Sequence, residues 1–265
     1  MYSIIMTGDY YNICNSKLSH EQPDLFDDKP EMPESGFQNN NDELINEQIE
    51  ELFEYSARAY HAITSAQMCE TLSRSDVKQY IRKIRRAIRD AELSFGHGSS
   101  NCKSGSDLQL AVRSEADKAA IDRGDPVVRS VLDAAYRVDH EIHRLMGLLR
   151  FSPRPDGVWL ARCAPDNFIL PVFADHFSLR FGEAPWAIID EKRNCALVRL
   201  YNKETCFGSL HSFPFLSGQD LPEDNWEELW RSYHRSVNIE NRKNPALRLQ
   251  FMPRRYWKYL PELNS

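Results

Sequence analysis

The stretch "WAIIDEKRNCALVRLY", Trp186 to Tyr201, decides the fold class. Two apolar runs enclose a polar tip of Asp, Glu, Lys, Arg and Asn, which is typical of a β-hairpin. "GVWLARCA", residues 157–164, predicts another short strand just before it. Because helical periodicity dominates the rest of the chain, we expect an α+β protein in which helices pack on a small antiparallel sheet.

Helices are predicted both before and after the hairpin. The pattern indicates helices over residues 49–72, 73–96 and 126–151, and another one that ends before Pro245. The second of these has a clear apolar stripe of Val77, Ile81, Ile84 and Ile88. The buried face predicted for the last helix consists of Trp226, Leu229, Trp230, Tyr233 and Val237.

These patterns divide the chain into three parts. Residues 1–48 are predicted to be a flexible acidic N-terminal segment, because they contain many Pro, Asn, Asp and Glu residues without periodicity. Within this segment, the apolar pair in "PDLFDD" favours either an inert linker or a weak docking element. Residues 49–125 form an N-terminal helical region, and residues 126–265 form the α+β domain.

Composition and motifs exclude several classes of protein. No apolar run approaches the roughly 18 residues of a membrane span, and the N-terminus lacks the features of a signal peptide. Six scattered cysteines without a C-x-x-C pair favour free thiols in a reducing cytoplasm. The sequence contains no P-loop, no G-x-G-x-x-G, no G-x-S-x-G and no H-E-x-x-H motif, so we predict no cofactor. We also predict no metal site, since His140 and His143 lack a third ligand at a suitable spacing.

Charge is distributed unevenly along a chain whose net charge is −6. Residues 1–54 carry 13 acids and 2 bases, whereas residues 74–90 carry 7 bases and 2 acids. Residues 231–258 carry 8 bases and 1 acid. Basic surfaces on an acidic protein indicate a polyanionic partner.

The most unusual stretch is "NPALRLQFMPRRYWKYLPEL", Asn244 to Leu263, which interleaves cations with aromatic residues. Such a pattern suits phosphate contact combined with base stacking. It also suits aromatics that seal a core while the cations stay in solvent, and the two interpretations are compatible. Together with the hairpin tip and the helix near residue 144, the tail predicts nucleic-acid-binding residues Arg144, Arg150, Lys192, Arg193, Arg254, Arg255, Tyr256, Trp257 and Lys258.

Catalytic residues are less clearly indicated. His143 and Asp166 are the candidates, because a histidine or a carboxylate can act as a general acid or base. For Asp166, which follows Pro165, the alternative is a structural role as the cap of a helix.

Four stretches of the C-terminal half resemble a known family. They are "EIHRLMGLLRF" (residues 141–151), "PDNFILPVFADHFSLRF" (165–181), "IIDEKR" (188–193) and "LWRSYHRSVNIENRKNPALRLQFMPRRYWKYLPE" (229–262). The family is described as probable DNA metabolism or DNA repair proteins built on a domain of unknown function. Its members accompany a radical S-adenosylmethionine (SAM) protein of DNA modification or repair, and some are fused to a uracil-DNA glycosylase module.

The resemblance implies DNA and a radical SAM DNA repair enzyme as partners, but it transfers no established catalytic residue. Our leading hypothesis is therefore a cytoplasmic DNA-binding accessory protein in DNA repair or modification, more consistent with a non-catalytic role than with an enzyme. One alternative is a DNA glycosylase-like base-excision enzyme, a hydrolase acting on DNA. Another is a protein–protein adaptor that makes no contact with DNA.

Overall fold

The computed structural model describes residues 40–96, 105–201, 204–216 and 225–263. These residues divide into two compact units, the first running through His140 and the second starting at Glu141. Most of the predicted acidic segment, up to residue 39, lies outside the described residues. No helix within the described ranges is long and apolar enough to cross a membrane.

The first unit is helical. Its helices are α1 (Asn40–Tyr55), α2 (Ala57–Gln67), α3 (Arg74–Gly96), α4 (Gly105–Ile121) and α5 (Pro126–Leu148), the last of which continues into the second unit. The single helix predicted for residues 49–72 is instead two helices that divide at Ser56. The Ser56 hydroxyl accepts a hydrogen bond from the Ala59 N–H at 3.0 Å, which caps the start of α2.

Helix α3 forms part of the core of the first unit. The predicted stripe is confirmed, since Val77, Ile81, Ile84 and Ile88 are all buried. Tyr80 is also buried, and its hydroxyl donates to the Ala120 carbonyl at 3.0 Å. On the opposite side of α3, Arg82, Arg86 and Arg89 are exposed.

A five-stranded sheet lies in the second unit. Its strands, in spatial order, are β1 (Ser152–Pro153), β2 (Trp159–Cys163), β3 (Trp186–Asp190), β4 (Cys195–Arg199) and β5 (Cys206–Ser209). The predicted hairpin is β3–β4, closed by a loop in which Asn194 has a φ of 53°, a conformation that asparagine tolerates. The α+β class is confirmed, and the sheet is mixed because β2 and β3 run parallel.

The parallel pair requires a crossover connection, and helix α6 (Phe173–Phe181) lies between the two strands in sequence. Pro171 lies in the 3-10 turn that precedes α6, and Gly182 follows the helix with a φ of 58°. Phe177 of α6 is buried, and its ring centroid lies 6.0 Å from that of Trp186 on β3. This aromatic contact holds the helix against the sheet.

The C-terminal elements are α7 (Asn225–Val237), α8 (Pro245–Phe251) and 3-10 turns at Arg254–Tyr259 and Pro261–Leu263. The buried face predicted for α7 is wrong. Leu229, Tyr233 and Val237, which we call the apolar face of α7, are 58%, 57% and 53% exposed. Instead, α7 is attached by its polar edge, where Arg231 Nε donates to the Pro261 carbonyl at 3.1 Å. Periodicity shows that a helix is amphipathic but does not show which element covers it.

Candidate functional site

The candidate site is built around a buried carboxylate on α5. Glu141 lies on the same side of this helix as Val138, Ile142 and Leu145, all of which are buried. The glutamate is itself only 2% exposed. A carboxylate in such a position requires hydrogen-bond donors from elsewhere in the chain.

Two distant segments supply those donors to Glu141. The backbone N–H groups of Asp166 and Asn167 donate to its two oxygens at 2.8 and 3.0 Å. The Tyr256 hydroxyl donates at 2.7 Å, and Arg255 Nη2 lies 3.4 Å away. Glu141 thereby joins α5, the segment before α6 and the tail.

This arrangement corrects the capping role expected of Asp166. Asp166 lies before the 3-10 turn that leads into α6, and the residues just before that turn and before α6 make no side-chain cap. The backbone N–H groups at Asp166 and Asn167 are bound by Glu141 instead. The Asp166 side chain is 56% exposed, and its carboxylate forms an ion pair with Arg255 Nη1 at 2.5 Å.

The tail contributes one buried and one exposed side chain to the site. Tyr256 is 1% exposed, and burial together with the neighbouring Glu141 raises its pKa to about 12 although Arg255 opposes the shift. Arg255 donates to the Tyr256 hydroxyl at 2.8 Å while its side chain stays 41% exposed. Tyr256 thus seals the core while Arg255 stays partly in solvent, which is the second interpretation of the tail; phosphate contact with base stacking stays a prediction.

The tip of the β3–β4 hairpin lies against the same segment. Asp190, fully buried, accepts hydrogen bonds from the backbone N–H groups of Lys192 and Arg193 at 2.9 and 3.3 Å. It also binds Arg193 Nη1 at 2.6 Å. Lys192 Nζ and Arg193 Nη2 both donate to the Asp166 carbonyl, at 2.9 and 2.8 Å. The tip cations are thus fixed next to Arg255.

A fourth cation reaches this surface through Glu191. Glu191 accepts a hydrogen bond from the Tyr259 hydroxyl at 2.7 Å and pairs with Lys258 Nζ at 3.1 Å. Burial would raise the pKa of Glu191, but the bonds from Tyr259 and Lys258 hold it below its ordinary value. We call Lys192, Arg193, Arg255 and Lys258 the basic cluster. Because carboxylates pair with Arg193, Arg255 and Lys258, an anionic ligand would bind here by competing with Asp166 and Glu191.

The other predicted residues lie outside this network. Arg254 is exposed, with its guanidinium 5.9 Å from the Trp257 ring centroid, and it forms no ion pair within the described part of the chain. Trp257 is half-buried and donates from Nε1 to the Met252 carbonyl at 2.8 Å. Arg144 is half-buried and His143 is exposed. His143 and Asp166 share no contact that would make them an acid–base pair.

Arg150 takes part in a different junction. It pairs with Glu262 at 2.7 Å and lies over the Trp230 ring, 5.2 Å from its centroid. Trp230 Nε1 donates to the same glutamate at 2.8 Å. Glu262, whose side chain is 3% exposed, therefore links the end of α5 to α7.

The Glu262 junction is expected to make stability depend on pH. Burial alone would raise the pKa of Glu262, but hydrogen bonds from Arg150 and Trp230 hold it below the ordinary value of 4.5. A lowered folded-state pKa stabilises the protein above the unfolded-state pKa and loses that effect as the pH falls through the folded-state value. In urea denaturation, the difference in unfolding free energy between wild type and Glu262→Gln should be largest at pH 7 and shrink below about pH 4.5.

Glu183→Gln is the matched control, because Glu183 is exposed and forms no ion pair among the described residues. It should follow the wild-type pH dependence. A gap between wild type and Glu262→Gln that stays constant from pH 7 to pH 3.5 would contradict the prediction.

Sequence reasoning missed the carboxylates that organise the basic cluster, Glu141, Asp190 and Glu191. Glu141 carried a usable signal, since a charged residue at an apolar position of a helix indicates a buried ion pair. Asp190 carried a weaker signal, since aspartate before a turn commonly binds the backbone two residues later. Glu191 carried no signal, because the side chains that donate hydrogen bonds to it, Lys258 and Tyr259, are 67 and 68 residues away.

Comparison with known proteins gives one family match. The model of a domain of unknown function, DUF4130, matches residues 107–262, more than half of the 265-residue chain. The match includes α5, the whole sheet and the tail, and thus all the residues of the basic cluster. No curated protein and no solved structure matches the chain. The chain therefore belongs to the DUF4130 family.

Proposed function

We propose that this protein is a DNA-binding accessory protein of DNA repair or modification, acting together with a radical SAM DNA repair enzyme. The observation that supports DNA binding best is the convergence of cations from two distant segments. Lys192 and Arg193 of the hairpin tip and Arg255 of the tail all contact Asp166. The radical SAM enzyme is proposed as the partner because of the family resemblance of the C-terminal half.

Geometry indicates how these cations would engage a phosphate. Arg255 is paired with Asp166, and Lys258 is paired with Glu191, so each must exchange a carboxylate for a phosphate oxygen. Arg254 is exposed and has no carboxylate to exchange among the described residues. Arg254 therefore makes the first contact in this proposal, and the basic cluster adds further contacts at low salt.

The test is the salt dependence of DNA binding, measured by fluorescence anisotropy with a labelled oligonucleotide. Each phosphate contact adds roughly 0.9 to the slope of log K against log salt for duplex DNA. Arg254→Ala should make this negative slope less steep by about one. Arg254→Ala combined with Arg255→Ala should make it less steep by up to about two.

Arg180→Ala is the control, because Arg180 is an exposed cation of α6 in the same unit, outside the basic cluster. It should leave the slope unchanged. If the double variant binds DNA with the affinity and the salt slope of the wild type, the tail is excluded from the interface. Absence of any salt-sensitive binding would overturn the proposal as a whole.

The partner is tested by co-purification of the protein with the radical enzyme, with and without nuclease. Co-purification that survives nuclease treatment supports direct contact. Loss after nuclease treatment would mean that DNA bridges the two proteins. No co-purification under either condition would remove the radical enzyme from the proposal.

A further inference from the structure

The apolar face of α7 has no covering element among the described residues. Leu229, Tyr233 and Val237 follow each other at intervals of four, so they form one continuous strip along the helix. Each is more than half exposed, and the neighbouring Trp230 is 38% exposed. Contiguous exposed apolar surface on a soluble protein usually marks an interaction site.

Charge around this face limits what can cover it. The stretch from residue 231 to 258 carries 8 bases and 1 acid, and Arg235 and Arg242 are exposed without a carboxylate partner in the described ranges. A second copy would bring the same positive charge against itself. Nucleic acid would suit the charge, and Tyr233 offers it a stacking surface, but the aliphatic side chains Leu229 and Val237 on either side of Tyr233 would stay uncovered. The best complement is a segment that combines apolar side chains with carboxylates.

The chain itself contains such a segment. Residues 21–34, "EQPDLFDDKPEMPE", carry six acids and one lysine, a net charge of −5. In their middle, the apolar pair Leu25 and Phe26 is flanked by Asp24 and Asp27. This segment lies outside the described residues and is not used by the proposed function.

We propose that residues 21–34 dock on the apolar face of α7, with Leu25 and Phe26 covering the strip and the flanking carboxylates facing Arg235 and Arg242. Contact between the apolar pair and the apolar face of α7 would remove both from water, which stabilises the docked state. The opposite net charges of the segment and of residues 231–258 favour the encounter. Docking within one chain also needs only modest intrinsic affinity, since the effective concentration is high.

Hydrogen–deuterium exchange of the full chain, read by mass spectrometry on fragments covering residues 21–34, tests the docking without DNA. In the double variant Leu25→Ser, Phe26→Ser, the segment should exchange about tenfold faster than in the wild type, because serine cannot bury apolar surface. The control is Ile4→Ser with Ile5→Ser, which removes two apolar side chains outside the segment. It should leave the exchange of residues 21–34 unchanged.

Substitutions on the helix give the reciprocal result. Tyr233→Ser with Val237→Ser should accelerate exchange of residues 21–34 to the same extent. Leu179→Ser, at a position 86% exposed on α6, should have no effect.

Three outcomes would overturn the inference. In the first, the wild-type segment exchanges as fast as in Leu25→Ser, Phe26→Ser. In the second, the α7 substitutions leave the hydrogen exchange of residues 21–34 unchanged, which would place the docking site elsewhere. In the third, protection disappears on tenfold dilution, which would make a second copy the occupant. Since no DNA is present, a failure of the proposed DNA binding leaves this result unaffected.

Discussion

Glu141→Ala is expected to lower the free energy of unfolding by about 3–5 kcal/mol, the cost typical of removing one partner from a buried charged network. Alanine leaves the buried Tyr256 hydroxyl and the N–H groups of Asp166 and Asn167 without their acceptor. Urea denaturation measures the loss. Glu141→Gln should cost less, because its amide oxygen can still accept hydrogen bonds from the backbone.

Two comparisons make the Glu141 result specific. Glu183→Ala removes an exposed carboxylate and should change stability by no more than about 0.5 kcal/mol. A double-mutant cycle of Glu141→Ala with Tyr256→Phe should give a coupling energy of about 0.5–3 kcal/mol. A loss below about 1 kcal/mol for Glu141→Ala, or additive effects in the cycle, would show that the carboxylate does not anchor the tail.

Asp190→Ala is expected to lower the free energy of unfolding by about 3 kcal/mol. Asp190 is fully buried, and its loss leaves the Arg193 guanidinium, 16% exposed, without its 2.6 Å ion pair. The backbone N–H groups of Lys192 and Arg193 lose their acceptor as well. Thermal or urea unfolding measures the effect, and the hairpin tip should lose order with it.

Asp190→Asn separates the two contributions. Its amide oxygen can still bind the backbone of the tip, but it carries no charge to pair with Arg193. We expect the unfolding free energy of Asp190→Asn to lie between those of the wild type and Asp190→Ala. Equal losses for Asn and Ala would assign the whole effect to the ion pair, whereas an unaltered stability for both variants would contradict the role of Asp190.

Local patterns predicted much of the fold. The two apolar runs around a polar tip in Trp186–Tyr201 predicted the β3–β4 hairpin, and the stripe from Val77 to Ile88 predicted the buried side of α3. The parallel pairing of β2 with β3 could not be predicted, since it depends on a crossover through α6 and not on either strand alone. For the same reason, the amphipathic pattern of α7 did not reveal that its apolar face is exposed.

The candidate site was predicted only in part, and the reason is the distance along the chain. Lys192, Arg193 and Arg255 are conspicuous as charges in the sequence. Their contacts with Asp166 span 26 residues or more, and that of Glu141 with Tyr256 spans 115. Turn and helix rules act within a few residues, so they cannot pair such groups.

The bond between Glu141 and Tyr256 also sets an order of events during synthesis. At 5–20 residues per second, the ribosome adds Tyr256 roughly ten seconds after Glu141. During that interval the carboxylate on the apolar side of α5 lacks its tail partner, so the second unit cannot complete its core as it emerges. A nascent chain of this protein therefore exposes apolar surface of an incomplete core for several seconds. Chaperones recognise intermediates of this kind.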